Sequence, residues 1–410
     1  MILKRRVSYI VLFLTLNVIL LPFLDNISGA LFKLKLIGDG SIGSPSQLGR
    51  FLSFVMVCFL ISKFASHSIR KLALFSCLYV VLVELVIALF HFEFHAFLFG
   101  VVYSLKVLFT FFCCLYLLDL VTRKPQYRDV LIKWMIRYGT LIALLVVLAY
   151  ASGFHIGNYS RGIATRGLFI SGNGLGIIIG ACALLLVNNL TRFNIVAFMH
   201  IIVLLAATAL IGTKASLLFV VLGLGYLGLK MIRLAPIWTL SFAVFISYFL
   251  FAPIYDVVML IFENIIFKYN NIDDKMLLLS SSRDQFITKA FESVQWSDFY
   301  AIRFLFGAGA FYAYTDFLSG AMSIRKYLEN DLFELFFMYG IFSVIFYFLL
   351  YLSACVLGLR YRNYFFVFLL SLIFFHSITV GHVVFNGTSA LLLAFCIALA
   401  GSKNTNINKS

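Results

Sequence analysis

The chain has little charge and little proline. Only 12% of its 410 residues are charged and only 5 are proline, whereas about a quarter of the residues in a soluble domain are charged. Hydrophobic residues make up 63% of the chain and aromatic residues 17%. This composition excludes a soluble enzyme, a nucleic-acid-binding protein and a disordered chain.

The cysteines give no metal or disulfide framework. There are 7 of them, all in or beside apolar runs, and none has the Cys-x-x-Cys spacing of a zinc site. His91 and His95 are four residues apart, a spacing that can bind a metal, but no third ligand is evident. We therefore predict neither a metal nor a cofactor.

Long apolar runs are abundant. A transmembrane helix needs about 20 apolar residues, and about twelve runs meet that need. They predict spans at residues 7–24, 49–64, 72–91, 97–119, 134–153, 167–187, 195–212, 215–230, 235–253, 331–354, 364–383 and 385–401. The first begins like a signal peptide, but no small-residue cleavage site follows, so we interpret it as a span. Because the runs do not alternate in hydrophobicity, we predict an all-α polytopic membrane protein.

The charge is strongly basic, with 32 Lys and Arg against 17 Asp and Glu. If the N-terminus is cytoplasmic, most of the basic residues in short connecting segments lie on the inner side. This asymmetry predicts that both termini are cytoplasmic. The positive charge then reflects membrane topology, and we predict no nucleic-acid partner.

The same orientation leaves one long segment, residues 254–330, on the outer, periplasmic side. Loops of this length are usually functional. Ser282 followed by Gln285 is a capping-box pattern, so we expect short helices in the loop. We divide the chain into residues 1–253 with nine spans, the loop at 254–330, and residues 331–410 with three spans and a short cytoplasmic tail. All three parts form one integral membrane domain.

Basic residues on the outer side can bind an anion. Arg161 and Arg166 precede a glycine-rich helix, and guanidinium groups match phosphate oxygens while a helix N-terminus adds N–H donors. Lipid headgroup anchoring, with close helix packing at Gly176 and Gly180, explains the same residues equally well. Lys214 adds one more outer cation.

Carboxylates open the tenth span at Glu329, Asp331 and Glu334. Acidic residues at a helix start also suit the helix dipole, and that explanation competes with a functional one. Carboxylates that face outer arginines would make a general-base site. Arg283, in the long loop, is by itself most often a solvated charge.

Two charges fall near the middle of adjacent predicted spans, Glu84 and Lys106. Charges inside a membrane are usually functional, and paired ones are tolerated best. We favour a structural pair over a proton relay.

The ordered motifs of residues 155–355 resemble those of the O-antigen ligase and polymerase superfamily. These motifs are Arg161-x4-Arg166-Gly-x-Phe-x3-Asn173, Thr213-Lys-Ala-Ser216, Ser282-Arg283, Phe306-Gly-Ala-Gly309 and Leu335-x3-Tyr-Gly-Ile341. The ligase branch typically has His-Asn where this chain has Glu329-Asn330-Asp331. The acidic pair is similar to the repeat-unit polymerase branch, usually called Wzy-type. Lys214 replaces an arginine of the superfamily's turn.

The resemblance implies a GT-C-like fold and a metal-independent glycosyltransferase at the outer face of a bacterial inner membrane. A growing glycan on undecaprenyl diphosphate would be passed to a lipid-linked repeat unit. Arg161, Arg166 and Arg283 would bind the diphosphate, and Glu329 or Asp331 would deprotonate or orient the acceptor hydroxyl. Further binding residues would be Lys214, Asn173 and Asn330. The implied partners are the lipid-linked oligosaccharide, the bilayer and a chain-length regulator.

Two other functions stay open. A glycan ligase would move the chain onto a lipid or protein acceptor, and His155 is the histidine most readily offered to it. A lipid-linked oligosaccharide flippase would need a charged cavity at the midplane, where the chain has chiefly Glu84 and Lys106. The loop aromatics Trp296, Tyr300, Tyr312 and Tyr314 either stack on sugars or belong to an interfacial aromatic belt.

Overall fold

The computed structural model describes residues 2–38, 43–92, 94–157, 162–172, 174–245, 251–271, 283–294, 300–314 and 328–403. The described residues are 82% helical and contain no strand. A single isolated bridge joins Gly157 to Thr165. The predicted all-α class is confirmed.

The described helices follow one another with short connections in the first half of the chain. They are α1 Ile2–Thr15, α2 Leu21–Lys33, α3 Pro45–Phe64, α4 His67–His91, α5 Phe94–Arg123, α6 Tyr127–Ala151, α7 Leu175–Asn189, α8 Ile195–Leu210, α9 Lys214–Leu234, α10 Pro236–Phe245, α11 Phe251–Ile261, α12 Glu263–Asn271, α13 Arg283–Ser293, α14 Tyr300–Phe306, α15 Gly309–Tyr312, α16 Asp331–Arg360, α17 Tyr364–Thr379 and α18 Gly387–Ala400. A π turn at Leu16–Leu20 joins α1 to α2. It lies directly before Pro22, which has no N–H to continue the regular helix ladder.

Seven helices of the described residues are long and apolar enough to cross a membrane. They are Tyr9–Lys33, Pro45–Phe64, His67–His91, Phe94–Arg123, Tyr127–Ala151, Lys214–Leu234 and Asp331–Arg360. Four shorter apolar helices, α7, α8, α17 and α18, lie at the predicted sixth, seventh, eleventh and twelfth spans. The structure therefore supports a polytopic membrane protein, while the figure of about twelve spans stays a prediction.

Two predicted spans extend into residues that are not helical. The sixth span was expected over 167–187, but α7 begins at Leu175 because Gly167 has a φ of 62° and its N–H donates to Thr165 Oγ1. The eleventh was expected over 364–383, but α17 ends at Thr379. Positive φ angles at Gly381 and His382 turn the chain out of the helix.

The ninth predicted span, 235–253, is formed by α10 and the start of α11, and residues 246–250 lie outside the described ranges. Helix α11 continues past the predicted boundary at residue 253 to Ile261. Residues 254–330 then carry the short helices α12, α13, α14 and α15. Short helices in this segment were expected from the sequence.

The chain forms two compact units, which alternate along the sequence. Unit 1 contains Met1–Phe13, Phe51–Leu131 and Asp274–Ser410, and unit 2 contains Leu14–Arg50 and Ile132–Asp273. In unit 1, α18 is buried along its whole length and packs mainly on α5. In unit 2, α7 packs between α8 and α9.

Contacts at one end of the unit 1 helices join segments that the sequence predicts to be cytoplasmic. The Ser66 N–H donates to Asp119, and Arg128 Nε donates to Ser402 Oγ. Asn363 Nδ2 donates to carbonyls at the end of α18, including that of Ala400. Segments predicted on one side of the membrane therefore gather together.

The other end of unit 1 gathers the predicted outer segments in the same way. Asn330 Nδ2 donates to the Ile378 carbonyl, and the His91 and Tyr312 rings stack with centroids 3.8 Å apart. Unit 2 shows a similar division, because the Thr165 N–H donates to the Leu210 carbonyl at its predicted outer end. The contacts within each unit agree with the predicted alternation of sides.

Candidate functional site

An ion pair joins two segments that both motif analysis and charge had singled out. Arg283 Nη2 lies 2.5 Å from Glu329 Oε2, and the Arg283 side chain is only 10% exposed. Arg283 is the first residue of α13, where the helix dipole disfavours a cation. The Glu329 carboxylate offsets that cost. Ser282, the predicted cap of this helix, lies outside the described residues.

Glu329 sits in strained backbone. Its φ is 56°, in the left-handed region, which costs a non-glycine residue about 1–2 kcal/mol. A β-carbon on the neighbouring Gly381 would lie 2.5 Å from the Glu329 carbonyl carbon, so only glycine permits this approach. Strain of this kind persists where surrounding structure holds it, often at functional sites.

The charge state of Glu329 follows from its neighbours. Burial alone would raise the pKa of this carboxyl, but hydrogen bonding to His382 and the charge of Arg283 outweigh burial and lower the pKa to about 2. Glu329 is therefore ionised at neutral pH. A carboxylate held this firmly in its charged form is a poor proton acceptor, because general bases work best with a pKa near the operating pH.

The Asp331 carboxylate accepts hydrogen bonds from neighbouring residues. Its side chain is buried, and Oδ2 accepts from the Val383 N–H at 2.9 Å, the Val384 N–H at 3.2 Å and Ser377 Oγ at 2.6 Å. These donors fix the connection between α17 and α18 against the start of α16. The geometry favours a structural role for Asp331 over the predicted role in deprotonation.

The side chains of Asn330 and Glu334 also accept hydrogen bonds from backbone N–H groups. Asn330 Oδ1 caps α16 by accepting from the Leu332 and Phe333 N–H groups. Glu334 Oε1 accepts from Tyr314 Oη at 2.9 Å and from the Leu328 N–H at 2.7 Å. Glu334 therefore links Tyr314 and Leu328 to the start of α16.

A histidine that the sequence analysis did not select lies beside the ion pair. His382 Nε2 is 3.9 Å from Glu329 Oε1, and its side chain is 20% exposed. We call Arg283, Glu329 and His382 the Arg283 cluster. His376 lies close enough for the charges of Arg283 and His382 to act on it. Its buried Nε2 has no hydrogen-bond partner among the described residues.

The Phe-Gly-Ala-Gly motif packs on a kink in α16. Tyr339 and Gly340 have non-helical backbone angles, and Gly340 has a φ of 66°. A β-carbon at Gly340 would lie 2.2 Å from the Leu305 carbonyl oxygen, and one at Gly307 would lie 2.3 Å from that of Met338. Two of the motifs behind the resemblance thus form one backbone contact.

Glu84 holds this contact from α4. It is 3% exposed, and Oε1 accepts from Tyr339 Oη and from the Ala310 N–H, both at 2.9 Å. A β-carbon at Gly100 would lie 2.0 Å from Glu84 Oε2. Lys106 Nζ lies 4.3 Å from the centroid of the Tyr103 ring. These contacts give Glu84 a structural role through the loop and the kink, while its predicted pairing with Lys106 stays a prediction.

Arg166 and Lys214 lie in neighbouring segments of unit 2. The Arg166 N–H donates to the Ile156 carbonyl, and the Thr165 N–H donates to the Leu210 carbonyl, close to the Thr213 cap of α9. Lys214 is the first residue of α9. Arg161 and Asn173, also predicted to bind substrate, lie outside the described residues.

Packing explains the glycines that follow Arg166. A β-carbon at Gly176 would lie 2.8 Å from Ser216 Cβ, and one at Gly180 would lie 2.5 Å from Phe219 Cβ. The close-packing alternative is therefore confirmed for these two glycines, which let α7 approach α9.

His155, the histidine considered for a ligase, is held within unit 2. Its Nδ1 lies 2.9 Å from Thr165 Oγ1, and its carbonyl accepts from Lys33 Nζ at 2.6 Å. Burial and the charge of Lys33 lower the pKa of His155. The imidazole is thus kept neutral near pH 7.

Most of the described loop aromatics contact the protein. Tyr314 is buried against Glu334, and Tyr312 stacks on His91. Tyr300 is exposed and stacks on Phe304. Trp296 lies outside the described residues. Tyr300 is therefore the described tyrosine best placed to meet a ligand or the interface.

No protein-family model matches the chain, and no curated protein matches it either. The function is therefore inferred from the motif resemblance and from the geometry of the Arg283 cluster.

Proposed function

We propose that the protein is a repeat-unit polymerase with a GT-C-like fold, which elongates a glycan carried on undecaprenyl diphosphate at the periplasmic face of a bacterial inner membrane. The observation that carries this proposal is the partly exposed ion pair of Arg283 and Glu329. It unites a cation and a carboxylate at the end of unit 1 that the sequence predicts to be outer.

Arg283 supplies the positive charge that stabilises the departing diphosphate. The acceptor hydroxyl attacks the anomeric carbon of the donor glycan, the bond from that carbon to the diphosphate breaks, and undecaprenyl diphosphate leaves with its charge. A guanidinium group stabilises this developing charge by paired hydrogen bonds, and it needs no metal to do so.

Glu329 acts by holding the guanidinium and orienting the acceptor. Its 2.5 Å contact fixes one face of Arg283, and its low pKa keeps it a hydrogen-bond acceptor at all physiological pH values. Asp331 fixes the loop beside it through the Val383 and Val384 N–H groups. We assign orientation to Glu329 and loop placement to Asp331.

On the motif resemblance, we also assign Arg161 and Arg166, with Lys214 and Asn173 as further contacts, to diphosphate binding. A membrane-bound acceptor and donor, and a chain-length regulator as a partner, complete the proposed system.

A deletion of the gene separates this function from its rivals. If surface glycans are then run on a gel, loss of a polymerase leaves a single repeat unit attached. Loss of a ligase leaves no attached glycan, and loss of a flippase strands precursors inside the cell. Complementation with Arg283→Gln is expected to fail, whereas Arg233→Gln, an exposed arginine at the end of α9, is expected to restore the ladder.

A further inference from the structure

The connection between α17 and α18 presents His382 to Glu329. Their side chains approach to 3.9 Å, and both retain access to solvent, at 20% and 32% exposure. His382 has a φ of 63° and Glu329 a φ of 56°, so two non-glycine residues in left-handed backbone face one another.

Buried polar groups hold this connection in place. Asp331 Oδ2 accepts from the Val383 and Val384 N–H groups directly after His382. Thr110 Oγ1 donates to the Val384 carbonyl at 2.6 Å. These contacts hold His382 in place beside Glu329.

The other bases at this end of unit 1 are poorly suited to accept a proton. Glu329 is bound to Arg283 at 2.5 Å, and Asp331 is buried under three donors. Imidazole is the side chain that exchanges protons most readily near neutral pH. A carboxylate next to it both aligns the ring and stabilises its cationic form.

We propose that His382 takes the proton from the acceptor hydroxyl while Glu329 aligns its imidazole. The O–H bond of the acceptor breaks and an N–H bond forms on His382, as the oxygen bonds to the anomeric carbon and the diphosphate departs. Glu329 then stabilises the imidazolium, and Arg283 the diphosphate. This inference rests on the proposed polymerase function.

The pH dependence of the reaction depends on the charges around His382. These are Glu329 and Arg283, with Asp331 from α16 and His376 from α17. The polymerisation rate is expected to fall on acidification, because a protonated imidazole cannot accept the hydroxyl proton. If Glu329 were the base, its pKa of about 2 would leave the rate unchanged on mild acidification.

Variants at residue 382 are chosen to keep the fold. Asn tolerates left-handed backbone and cannot accept the proton, so His382→Asn tests the chemistry with little added strain. His382→Gly removes the ring and allows added imidazole to replace it. His67→Gln is the matched control, since His67 is an exposed residue at the start of α4. Each variant is first checked for a monodisperse gel-filtration profile in detergent.

The assay uses proteoliposomes and lipid-linked repeat units extracted from the deletion strain. We expect His382→Asn to lower the rate by roughly 10²–10⁴-fold and imidazole to restore part of the rate of His382→Gly. Glu329→Gln is expected to lower the rate, because the imidazolium loses its counter-charge.

Several outcomes separate the two claims. The assignment of His382 is overturned if His382→Asn keeps the wild-type rate or still loses rate on acidification. It is also overturned if imidazole fails to rescue folded His382→Gly. In each of these cases the polymerase function stands. If the wild-type protein makes no polymer from these units, the proposed function itself fails, and the inference falls with it.

Discussion

Arg283 Nη2 and Glu329 Oε2 lie 2.5 Å apart, although 46 residues separate them in the chain. The contact brings the start of α13 against the start of α16. Both residues belong to motifs that the sequence analysis had placed on the outer side. This relationship makes the pair the centre of the functional account.

The first prediction concerns the shape of the Arg283 head group. Arg283→Lys keeps the positive charge but loses the planar fork that binds phosphate by two hydrogen bonds. Losing a charged hydrogen bond costs about 1.5–3 kcal/mol, so we expect a polymerisation rate roughly 10–100-fold lower. The rate is measured in proteoliposomes, with Arg233→Lys as the control. An unchanged rate would contradict the assignment of Arg283 to the diphosphate.

The second prediction separates structure from function by exchanging the two charges. Arg283→Glu alone should lower the melting temperature in detergent, because it places two carboxylates against each other. The double variant Arg283→Glu, Glu329→Arg should recover much of that stability, since the ion pair is restored. Its activity should stay low, because the cation has moved. Recovery of both stability and activity would show that the pair is purely structural.

The third prediction concerns the pH dependence of stability. The pKa of Glu329 is lowered from 4.5 to about 2 in the folded protein. The ion pair therefore stabilises the fold above pH 4.5, and this contribution is lost as the pH falls from 4.5 towards 2. Allowing for solvent screening, we expect about 1–2 kcal/mol. Melting temperatures of wild type and Glu329→Gln should converge at low pH, and parallel curves would contradict the shift.

The fourth prediction tests the contact between the Phe-Gly-Ala-Gly loop and α16. Gly340→Ala should destabilise the protein by at least ~2 kcal/mol, because its β-carbon would meet the Leu305 carbonyl in left-handed backbone. Gly225→Ala in α9 is the control, since its β-carbon would meet nothing within 4 Å. That control should gain up to about 1 kcal/mol. Equal melting temperatures for the two variants would exclude the proposed close contact.

The fifth prediction tests the orientation of unit 1. Cysteines are placed at Glu292 in α13 and at Arg70 in α4, both exposed positions. In intact spheroplasts, a membrane-impermeant maleimide should label Glu292→Cys and leave Arg70→Cys unlabelled until lysis. The parent protein gives the background, since its native cysteines are buried or half-buried. The reverse pattern would place the Arg283 cluster in the cytoplasm and rule out the periplasmic site.

Apolar run length predicted most of the helices, because burial in lipid requires a continuous run whatever the tertiary contacts. It failed at residues 167–172 and 380–383, where the chain is apolar but hydrogen bonds to Thr165 and Asp331 hold it out of a helix. Hydropathy does not register such contacts. Asn386-Gly387, which interrupts the last apolar run, is a local sequence sign of a nearby loop.

The charged motif residues could be selected from the sequence, but their roles could not. Glu329 and Asp331 are two residues apart, and similar in type, yet one forms an ion pair and the other fixes a loop. His382 was passed over because it fell inside a predicted span. Its place beside Glu329 depends on the positive φ at Gly381, which no residue pattern reveals.

The most direct test is elongation by the purified protein alone. Proteoliposomes that contain only this chain are given undecaprenyl-diphosphate-linked repeat units, and the lipid-linked products are separated by size. The account predicts a ladder that rises by one repeat unit per step and is lost in Arg283→Gln. Single units that never lengthen in the presence of folded wild-type protein would contradict it.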